Sequence, residues 1–274
     1  MRENNEDRAA PKIMSGILKV KSRTLLTPHY IRLILEGEHL KNFSMAQVGD
    51  NNKLLIPTDP AVPMQLPLAP KSKQENGAAG AIVRTYTLRD LNTHKGEMTV
   101  DFVAHGENGP ASKWALNAKK GDQIGVLMKM KGKELYMEAD FYALIGDHTA
   151  LPVISVILSQ LPSDAKGVAI IEVPGPEDTL TLEKPENISV SWIYNPTPEK
   201  GSSLFGEVER IDFPKNLRKF VFSAGEFHSI KVIQNYFRNS DFLRHEWRAY
   251  SYWKAGQSED KSSADRAAVA HRGN

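Results

Sequence analysis

The order of apolar and polar residues divides the chain into two regions with different periodicities. In the first region, short segments alternate between apolar and polar residues with a period of two, which is typical of half-buried strands. Turn residues separate these segments, and a helical pattern begins at Pro110. The predicted strands are 13–22, 30–35, 53–56, 82–89, 97–104 and 123–129, and the predicted helix is 110–118. We therefore expect an antiparallel six-stranded β-barrel over residues 13–135.

The second region, residues 140–256, has continuous apolar segments that alternate with helical patterns. The predicted strands are 141–145, 166–173, 189–194 and 219–224, and the predicted helices are 148–161 and 227–237. Strands that alternate with helices indicate an open parallel α/β sheet. The predicted fold is thus a β-barrel domain followed by an α/β domain. Residues 1–12 and 257–274 are polar, and we expect both tails to be disordered.

The composition is that of an ordinary globular protein, and it excludes several classes of function. The 274 residues are 41% hydrophobic and 25% charged, and the net charge of +2 gives no argument for nucleic-acid binding. The absence of cysteine excludes disulfides and cysteine-ligated metal sites. No apolar run approaches the ~20 residues of a membrane span, and residues 1–10 lack an apolar signal-peptide core. We expect a cytoplasmic monomer without nucleic-acid or membrane partners.

The segment 84–90 places a cationic and an aromatic side chain on one face of a predicted strand. With a period of two, Arg84 and Tyr86 share one face, and Thr85 and Thr87 share the other. A guanidinium binds phosphate through two parallel charge-assisted hydrogen bonds, and a tyrosine ring can pack on a flat conjugated system. The alternative is an exposed strand with a cross-strand Arg–Tyr pair, and the segment by itself does not decide between them.

The segment 100–114 supplies a second candidate phosphate site. A predicted strand leads into a loop with two glycines, after which Pro110 begins a helix. The free N–H groups of a helix N-terminus bind anions, and Ala111 and Ser112 are small enough for a phosphate to approach the backbone. Together with Arg84, this helix start could hold the two ends of one pyrophosphate.

Five motifs occur in order along the chain: R-x-Y-T-x-R at 84–89, D-F-V-x-H-G-x-x-G-P-A-S-x-W at 101–114, G-D-H-T-A-L-P at 146–152, A-G-E at 224–226 and Y-W-K at 252–254. This series resembles the siderophore-interacting proteins, flavin-dependent ferric-siderophore reductases within the ferredoxin–NADP reductase superfamily. The resemblance covers roughly residues 15–256. The first motif is a signal of the whole superfamily, whereas the second and third are far more specific. The resemblance implies FAD in the barrel and NADH or NADPH at the α/β domain.

The resemblance also implies which residues bind FAD. Arg84 is expected to contact the phosphates, Tyr86 to pack on the isoalloxazine ring, and Thr87 to bond the N5/O4 edge of that ring. Asp147 is expected near the adenosine half, although an Asp ahead of a helix can serve only as a cap. At His148 the chain departs from the family, which usually has Glu there. The full expected set is Arg84, Thr85, Tyr86, Thr87, Asp101, Phe102, Val103, His105, Gly109, Ala111, Ser112, Asp147, Thr149 and Ala150.

The α/β region has no G-x-G-x-x-G fingerprint, which argues against an ordinary Rossmann dehydrogenase and agrees with the ferredoxin-reductase type. Ligands of open α/β sheets lie beyond the carboxyl ends of the strands. The candidate nicotinamide positions are therefore 146–147, 174–175, 195–196 and 224–226.

Lysines are the candidate substrate-binding residues. Ferric catecholate siderophores are anionic, and the resemblance implies a spaced set of basic residues at the flavin edge. Lys53 fits the first position, Lys254 fits the third, and the segment that contains Lys129, Lys131 and Lys133 lies near the second. Each of these lysines can instead be an ordinary solvated surface residue. No metal site is predicted, because no second ligand has supporting spacing to His105.

The resemblance favours a ferric-siderophore reductase that uses FAD to pass electrons from NAD(P)H, or from ferredoxin, to Fe(III). No catalytic residue is expected beyond the flavin, because the redox chemistry belongs to the cofactor. One alternative is a general flavin reductase of the same superfamily, which needs no basic cluster. Another is a siderophore-binding protein without a redox role. The sequence leaves open the siderophore, and the choice among NADH, NADPH and ferredoxin.

Overall fold

The computed structural model describes residues 13–59, 61–67, 80–107, 109–130 and 134–270. The first half forms a curled antiparallel sheet with the strand order β4-β3-β7-β1-β2-β6-β5. Its strands are β1 (Ile13–Thr27), β2 (Tyr30–Glu36), β3 (Asn51–Pro57), β4 (Ala81–Thr87), β5 (Asp90–Asn92), β6 (Glu97–Val103) and β7 (Gln123–Lys129). A 3₁₀ helix (Glu38–Phe43) follows β2, and helix α1 (Pro110–Asn117) lies between β6 and β7.

The barrel prediction is confirmed, with seven strands in place of six. The additional strand is β5, whose three residues pair with β6. Period-two alternation produces the fold, because β1 and β2 each turn every second side chain inward. The inward residues, among them Leu18, Leu33 and Phe102, are fully buried in one apolar cluster. Helix α1 joins this cluster through Ala111 and Ala115.

The second half is an open sheet whose neighbouring strands are all parallel, in the order β10-β9-β8-β11-β12. Its strands are β8 (Phe141–Asp147), β9 (Gly167–Val173), β10 (Ile188–Tyr194), β11 (Lys219–Glu226) and β12 (Trp247–Trp253). Its helices are α2 (Leu151–Gln160), α3 (Leu204–Glu209) and α4 (Phe227–Arg238), with 3₁₀ helices at Pro176–Asp178 and Pro198–Lys200. The parallel α/β prediction is therefore confirmed.

The two halves meet through a buried carboxylate. Asp178, which lies in the 3₁₀ helix after β9, accepts hydrogen bonds from the Thr27 hydroxyl at 2.8 Å and from the His29 N–H at 3.0 Å. The His29 ring Nδ1 lies 2.8 Å from the second oxygen of Asp178. Burial alone raises the pKa of Asp178, but the hydrogen bonds from His29 and Thr27 outweigh burial and hold the pKa below its usual value. We call this arrangement the Asp178 clasp.

Residues 257–274 were expected to be disordered, and the structure corrects this prediction for 259–269, which form helix α5 (Glu259–Val269). Ser258 caps the helix by accepting from the Lys261 N–H, and Glu259 and Asp260 in the first turn complement the helix dipole. Ser262 and Val269 are buried. Among the described residues, none of the helices is both long and apolar enough to span a membrane.

Candidate functional site

A cavity of about 930 Å³ lies between the two halves of the molecule. One wall comes from the barrel, where β4, the loop after β6 and the start of α1 contribute residues. The other wall comes from the carboxyl ends of β8, β9, β10 and β12, which is where open α/β sheets bind ligands. Residues 256–259 and Ser262, at the start of α5, complete the lining. The cavity therefore joins the motifs that the sequence singled out in both regions.

On the barrel side, β4 presents Arg84 and Tyr86 to the cavity from one face, as the alternation predicts. Tyr86 packs on Phe102 with ring centroids 4.3 Å apart, and burial raises the pKa of its hydroxyl. The Arg84 Nη1 donates to the Val83 carbonyl at 2.7 Å and to Asp260 at 3.1 Å. Because a guanidinium has five N–H donors, this leaves the Nε–Nη2 edge, the geometry that binds phosphate in a bidentate manner.

The start of α1 lines the cavity beside this strand through Gly109, Pro110 and Ala111. No side chain caps this helix end, and Pro110 occupies its first turn. Its backbone N–H groups can therefore serve an anion. A Cβ built on Gly109 would lie 2.1 Å from the His105 ring, so glycine permits the histidine to fold over the loop.

Two histidines line the cavity from different halves of the molecule, His29 from the turn between β1 and β2 and His148 from the residue after β8. His29 lines the cavity while its Nδ1 is held by the Asp178 clasp. His148 is buried and stacks on Tyr30 with ring centroids 5.0 Å apart. Among the described residues, neither ring nitrogen of His148 has a hydrogen-bond partner, and burial lowers its pKa to about 4. His148 is therefore a neutral ring at the cavity wall with unsatisfied polar atoms.

Asp147 ends β8 in a position where both of its carboxylate oxygens are engaged. One oxygen accepts from the Thr149 N–H at 2.8 Å and from the Thr149 hydroxyl, and the other accepts from the Trp253 indole at 2.7 Å. Burial raises the pKa of this carboxyl group. Asp147 thus shapes the turn into α2 and fixes Trp253, which agrees with the capping alternative for this residue.

Several residues expected to bind FAD lie outside the cavity lining. Thr87, Phe102 and Ala150 are buried, and Asp101 forms a two-pronged ion pair with Arg32 at 2.7 and 2.8 Å. The Ser112 hydroxyl accepts from the His105 N–H at 3.0 Å and donates to the Gly106 carbonyl at 2.7 Å. These residues support the cavity wall from behind. Those that do line the cavity are Arg84, Thr85, Tyr86, Val103, His105, Gly109, Ala111, Asp147 and Thr149.

Of the candidate nicotinamide positions, likewise, some line the cavity and others lie outside it. Pro174, Asn195 and Pro196 line the cavity together with Asp147. Residues 224–226 do not line the cavity. The Glu226 carboxylate instead caps α4 by accepting from the His228 and Ser229 N–H groups.

The structure relates two of the four candidate substrate lysines to α5. Lys53 forms an ion pair with Glu259 at 3.3 Å, and Lys254 with Asp265 at 2.6 Å. Lys129 is exposed at the end of β7, and Lys53 is opposite Leu127 in the register of β3 with β7, so Lys53 and Lys129 point to the same side of the sheet. Lys131, like Lys133, lies outside the described residues.

The sequence reasoning did not identify some residues that line the cavity, of which His29, Tyr252, Trp253 and Glu259 bear the most chemistry. Trp253 and Tyr252 belong to β12, whose alternating aromatic residues were a usable signal for a strand. The Thr27-Pro28-His29 turn was recognised only as a connection. Glu259 lay in the tail that was expected to be disordered.

Two family models match the chain. The siderophore-interacting FAD-binding domain matches residues 19–129, and the siderophore-interacting protein model matches residues 139–256. This chain belongs to the siderophore-interacting protein family. Ferric vibriobactin reductase ViuB of Vibrio cholerae is 30% identical over 271 residues, which are 97% of each chain.

Two solved structures extend the comparison. A siderophore utilization protein from T. fusca has a TM-score of 0.81 and 32% identity, and it covers 90% of this chain and 95% of its own. The siderophore-interacting protein SipS from Aeromonas hydrophila has a TM-score of 0.80 and 26% identity over 93% of this chain and 98% of its own. The likeness therefore extends over both sheets.

The residues around the cavity fit an FAD cofactor. Tyr86 offers an aromatic face, Arg84 and the start of α1 offer two sets of donors for a diphosphate, and the unsatisfied nitrogens of His148 can bind a ligand hydroxyl. The cavity volume, about 930 Å³, lies near the upper end of the range for small-molecule and cofactor sites.

Proposed function

We propose that this protein is an FAD-dependent ferric-siderophore reductase that takes electrons from NADH or NADPH. The observation that carries the proposal is the cavity in which the barrel motif, Arg84 and Tyr86, faces the carboxyl ends of the parallel strands. The family membership and the reductase name of the Vibrio cholerae relative support it. Arg84, Tyr86 and the start of α1 would hold FAD, which when bound would supply the conversion of a two-electron hydride donor into single-electron reduction of Fe(III).

The chain's own residues bind and orient the cofactor and the electron donor. Arg84 and the start of α1 hold the diphosphate, and Tyr86 fixes the plane of the ring that packs on it. The Asp147–Trp253 bond keeps the β8 and β12 ends together, so that the donor is held at the other side of the cavity. In this proposal no side chain acts as acid or base on the substrate. Lys53, Lys129, Lys131 and Lys254 remain the proposed contacts to the ferric complex.

Further parts of the proposal concern the molecule as a whole. Residues 13–135 form the FAD domain and residues 140–256 the nicotinamide domain, and the protein acts as a cytoplasmic monomer. Ferredoxin is an alternative electron donor. Anaerobic mixing with NADH, NADPH or reduced ferredoxin, with the flavin absorbance as readout, identifies the donor.

Cofactor content and ferric reduction test the proposal directly. The purified protein should release FAD on denaturation and should reduce a ferric siderophore complex, of the catecholate or the hydroxamate class, when supplied with its donor. Arg84→Ala removes the charge-assisted contact with the phosphates. One such hydrogen bond contributes about 1.5–3 kcal/mol, so FAD affinity should fall at least roughly 10- to 150-fold. Arg23→Ala is the matched control, because Arg23 is an exposed arginine on β1 that bonds the Leu116 carbonyl. Unchanged FAD affinity in the Arg84 variant, or FMN in the released fraction, would contradict the assignment.

A second candidate is a general flavin reductase of the same superfamily. The observation that favours it is that Lys53 and Lys254 are already neutralised by carboxylates in the structure. Equal rates of reduction for a ferric catecholate, a quinone and free flavin would support this candidate over the siderophore reductase.

A further inference from the structure

Helix α5 supplies counter-charges to the lysines proposed to bind the ferric complex. The Glu259 carboxylate lies 3.3 Å from the Lys53 Nζ and accepts from the Thr85 N–H at 3.1 Å and from the Thr85 hydroxyl. The Asp265 carboxylate lies 2.6 Å from the Lys254 Nζ. Two lysines that are 201 positions apart in the sequence thus both pair with one helix.

These ion pairs are partly shielded from solvent. The side chains of Glu259 and Lys254 are only 18% and 16% exposed, and the Lys254 ammonium lies 4.7 Å from the centroid of the Phe227 ring. Although burial raises the pKa of Glu259, the Thr85 hydrogen bonds and the Lys53 charge bring it below its usual value. Both acids are therefore ionised near neutral pH, and partial shielding makes each pair stronger than a fully exposed one.

Other contacts keep α5 in place. Arg266 donates to the Tyr252 carbonyl at 2.8 Å, Gln234 donates to the Val269 carbonyl, and Ser262 and Val269 are buried. These contacts do not depend on the Asp265 side chain, so docked α5 keeps Glu259 at the cavity wall and Asp265 beside Lys254. A ligand that binds Lys53 and Lys254 therefore meets both carboxylates as long as α5 remains docked.

We propose that Glu259 and Asp265 determine which charge class of ferric complex this site accepts, an inference that rests on the proposed function. They hold Lys53 and Lys254 in ion pairs, and Asp260 holds Arg84 in the same way at 3.1 Å. Three cations thus each pair with a carboxylate of α5, and Arg266 of the same helix also lies 3.9 Å from the Glu259 carboxylate. A polyanionic complex must compete with fixed negative charges for these lysines, whereas a neutral complex does not. The site therefore prefers neutral ferric complexes, of the tris-hydroxamate class, to trianionic tris-catecholates.

Redox-inert gallium(III) complexes test this preference without turnover. Calorimetry would measure the binding of a gallium tris-catecholate trianion and of a neutral gallium tris-hydroxamate to the FAD-loaded protein. The comparison is between wild type and Glu259→Gln/Asp265→Asn, which keeps the side-chain shape and one acceptor oxygen at each position while it removes both charges. The control is Glu97→Gln/Glu207→Gln, which removes two carboxylates that pair with Lys21 and Arg210 elsewhere on the surface.

We expect wild type to bind the hydroxamate complex more tightly than the catecholate complex. The Glu259/Asp265 variant should bind the catecholate about tenfold more tightly than wild type does, and the hydroxamate within about twofold. The control variant should change neither affinity beyond about twofold, because its charges are remote and screened. Equal effects of both double variants, or equal gains for both gallium complexes, would overturn the proposal.

A parallel assay separates this inference from the proposed function. Reduction of the matching ferric complexes by wild type shows whether the protein is a ferric-siderophore reductase. If reduction occurs while the gallium affinities do not respond to the variants, the function stands and the role of α5 is refuted. If the affinities respond as expected while no ferric complex is reduced, the role of α5 stands and the reductase is refuted. If neither gallium complex binds any variant, the charge-selection proposal is overturned.

Discussion

The Asp178 clasp should make a measurable contribution to stability, and Asp178→Asn is the substitution that probes it. Asp178 has no solvent exposure and accepts from three donors, at 2.8, 3.0 and 2.8 Å, that belong to the other half of the molecule. Asparagine keeps one acceptor oxygen but loses the charge and places an amide opposite the His29 ring. A hydrogen bond to a charged group contributes about 1.5–3 kcal/mol. Because the backbone and hydroxyl bonds are weakened and not lost, we expect a total loss of about 2–3 kcal/mol near pH 7.

The pH dependence of this loss gives a second, independent signature. The folded-state pKa of Asp178 lies below its unfolded value, so its contribution is complete above the unfolded pKa and is lost as the pH falls through the folded pKa. The difference in unfolding free energy between wild type and Asp178→Asn should therefore be largest near neutral pH and should shrink towards pH 3. Both proteins need to be measured at the two pH values.

Urea unfolding followed by tryptophan fluorescence is the appropriate assay, with cofactor saturation kept constant because ligand binding shifts apparent stability. Asp164→Asn is the matched control, because it makes the same chemical change at an exposed position in the same half of the chain. That control should stay within about 0.5 kcal/mol of wild type. The reasoning fails if Asp178→Asn behaves like the control near pH 7, or if its deficit is as large near pH 3 as at neutrality.

Three further predictions use other features of the cavity walls and the sheet. His148→Phe should flatten the pH dependence of stability between about pH 6.5 and 4. The folded-state pKa of His148 is lowered to about 4, so wild type loses stability as the pH falls through that window. Unfolding measured at several pH values checks this. Trp253→Phe should cost about 1.5–3 kcal/mol, because the buried Asp147 carboxylate loses its indole donor, and a stability equal to wild type would contradict that bond. Gly167→Ala should prevent or strongly weaken folding, because the φ of Gly167 is +151° and the new Cβ would lie 1.9 Å from the Tyr142 carbonyl oxygen. By contrast, the Cβ of Gly206→Ala in α3 meets nothing within 4 Å, and this substitution should stabilise the protein by about 0.5–1 kcal/mol. Thermal unfolding distinguishes the two variants.

Local pattern was sufficient for much of this fold. The alternation at 84–87 correctly placed Arg84 and Tyr86 on one face, and the continuous apolar segment near 166–173 correctly indicated a strand of a parallel sheet. The edge strand β12 was missed although its aromatic residues alternate and Asn239-Ser240-Asp241 mark a turn after α4. Helix α5 was missed because its polar and alanine-rich sequence has only two buried side chains, Ser262 and Val269.

The composition of the cavity wall could be predicted only in part. The motif residues Arg84, Tyr86 and Ala111 were found because they are close in sequence to recognisable turns and strands. His29 and Asp178 are 149 positions apart, and no local periodicity relates one to the other. The same holds for Lys53 and Glu259, which are 206 positions apart. Such pairs depend on the packing of the two halves, which lies beyond any pattern of period two or 3.6.

The separation of Lys53 from Glu259 has a consequence for the order of events during synthesis. The barrel strands leave the ribosome first, and domains generally fold as units while the rest of the chain is being made. At 5–20 residues per second, roughly 10–40 s pass before the 206 residues between Lys53 and Glu259 are translated. During that interval the nascent barrel exposes Lys53 and Arg84 without the carboxylates of α5. We therefore expect a dinucleotide to load onto the half-made chain faster than onto the finished apoprotein, in which Asp260 already offsets part of the Arg84 charge.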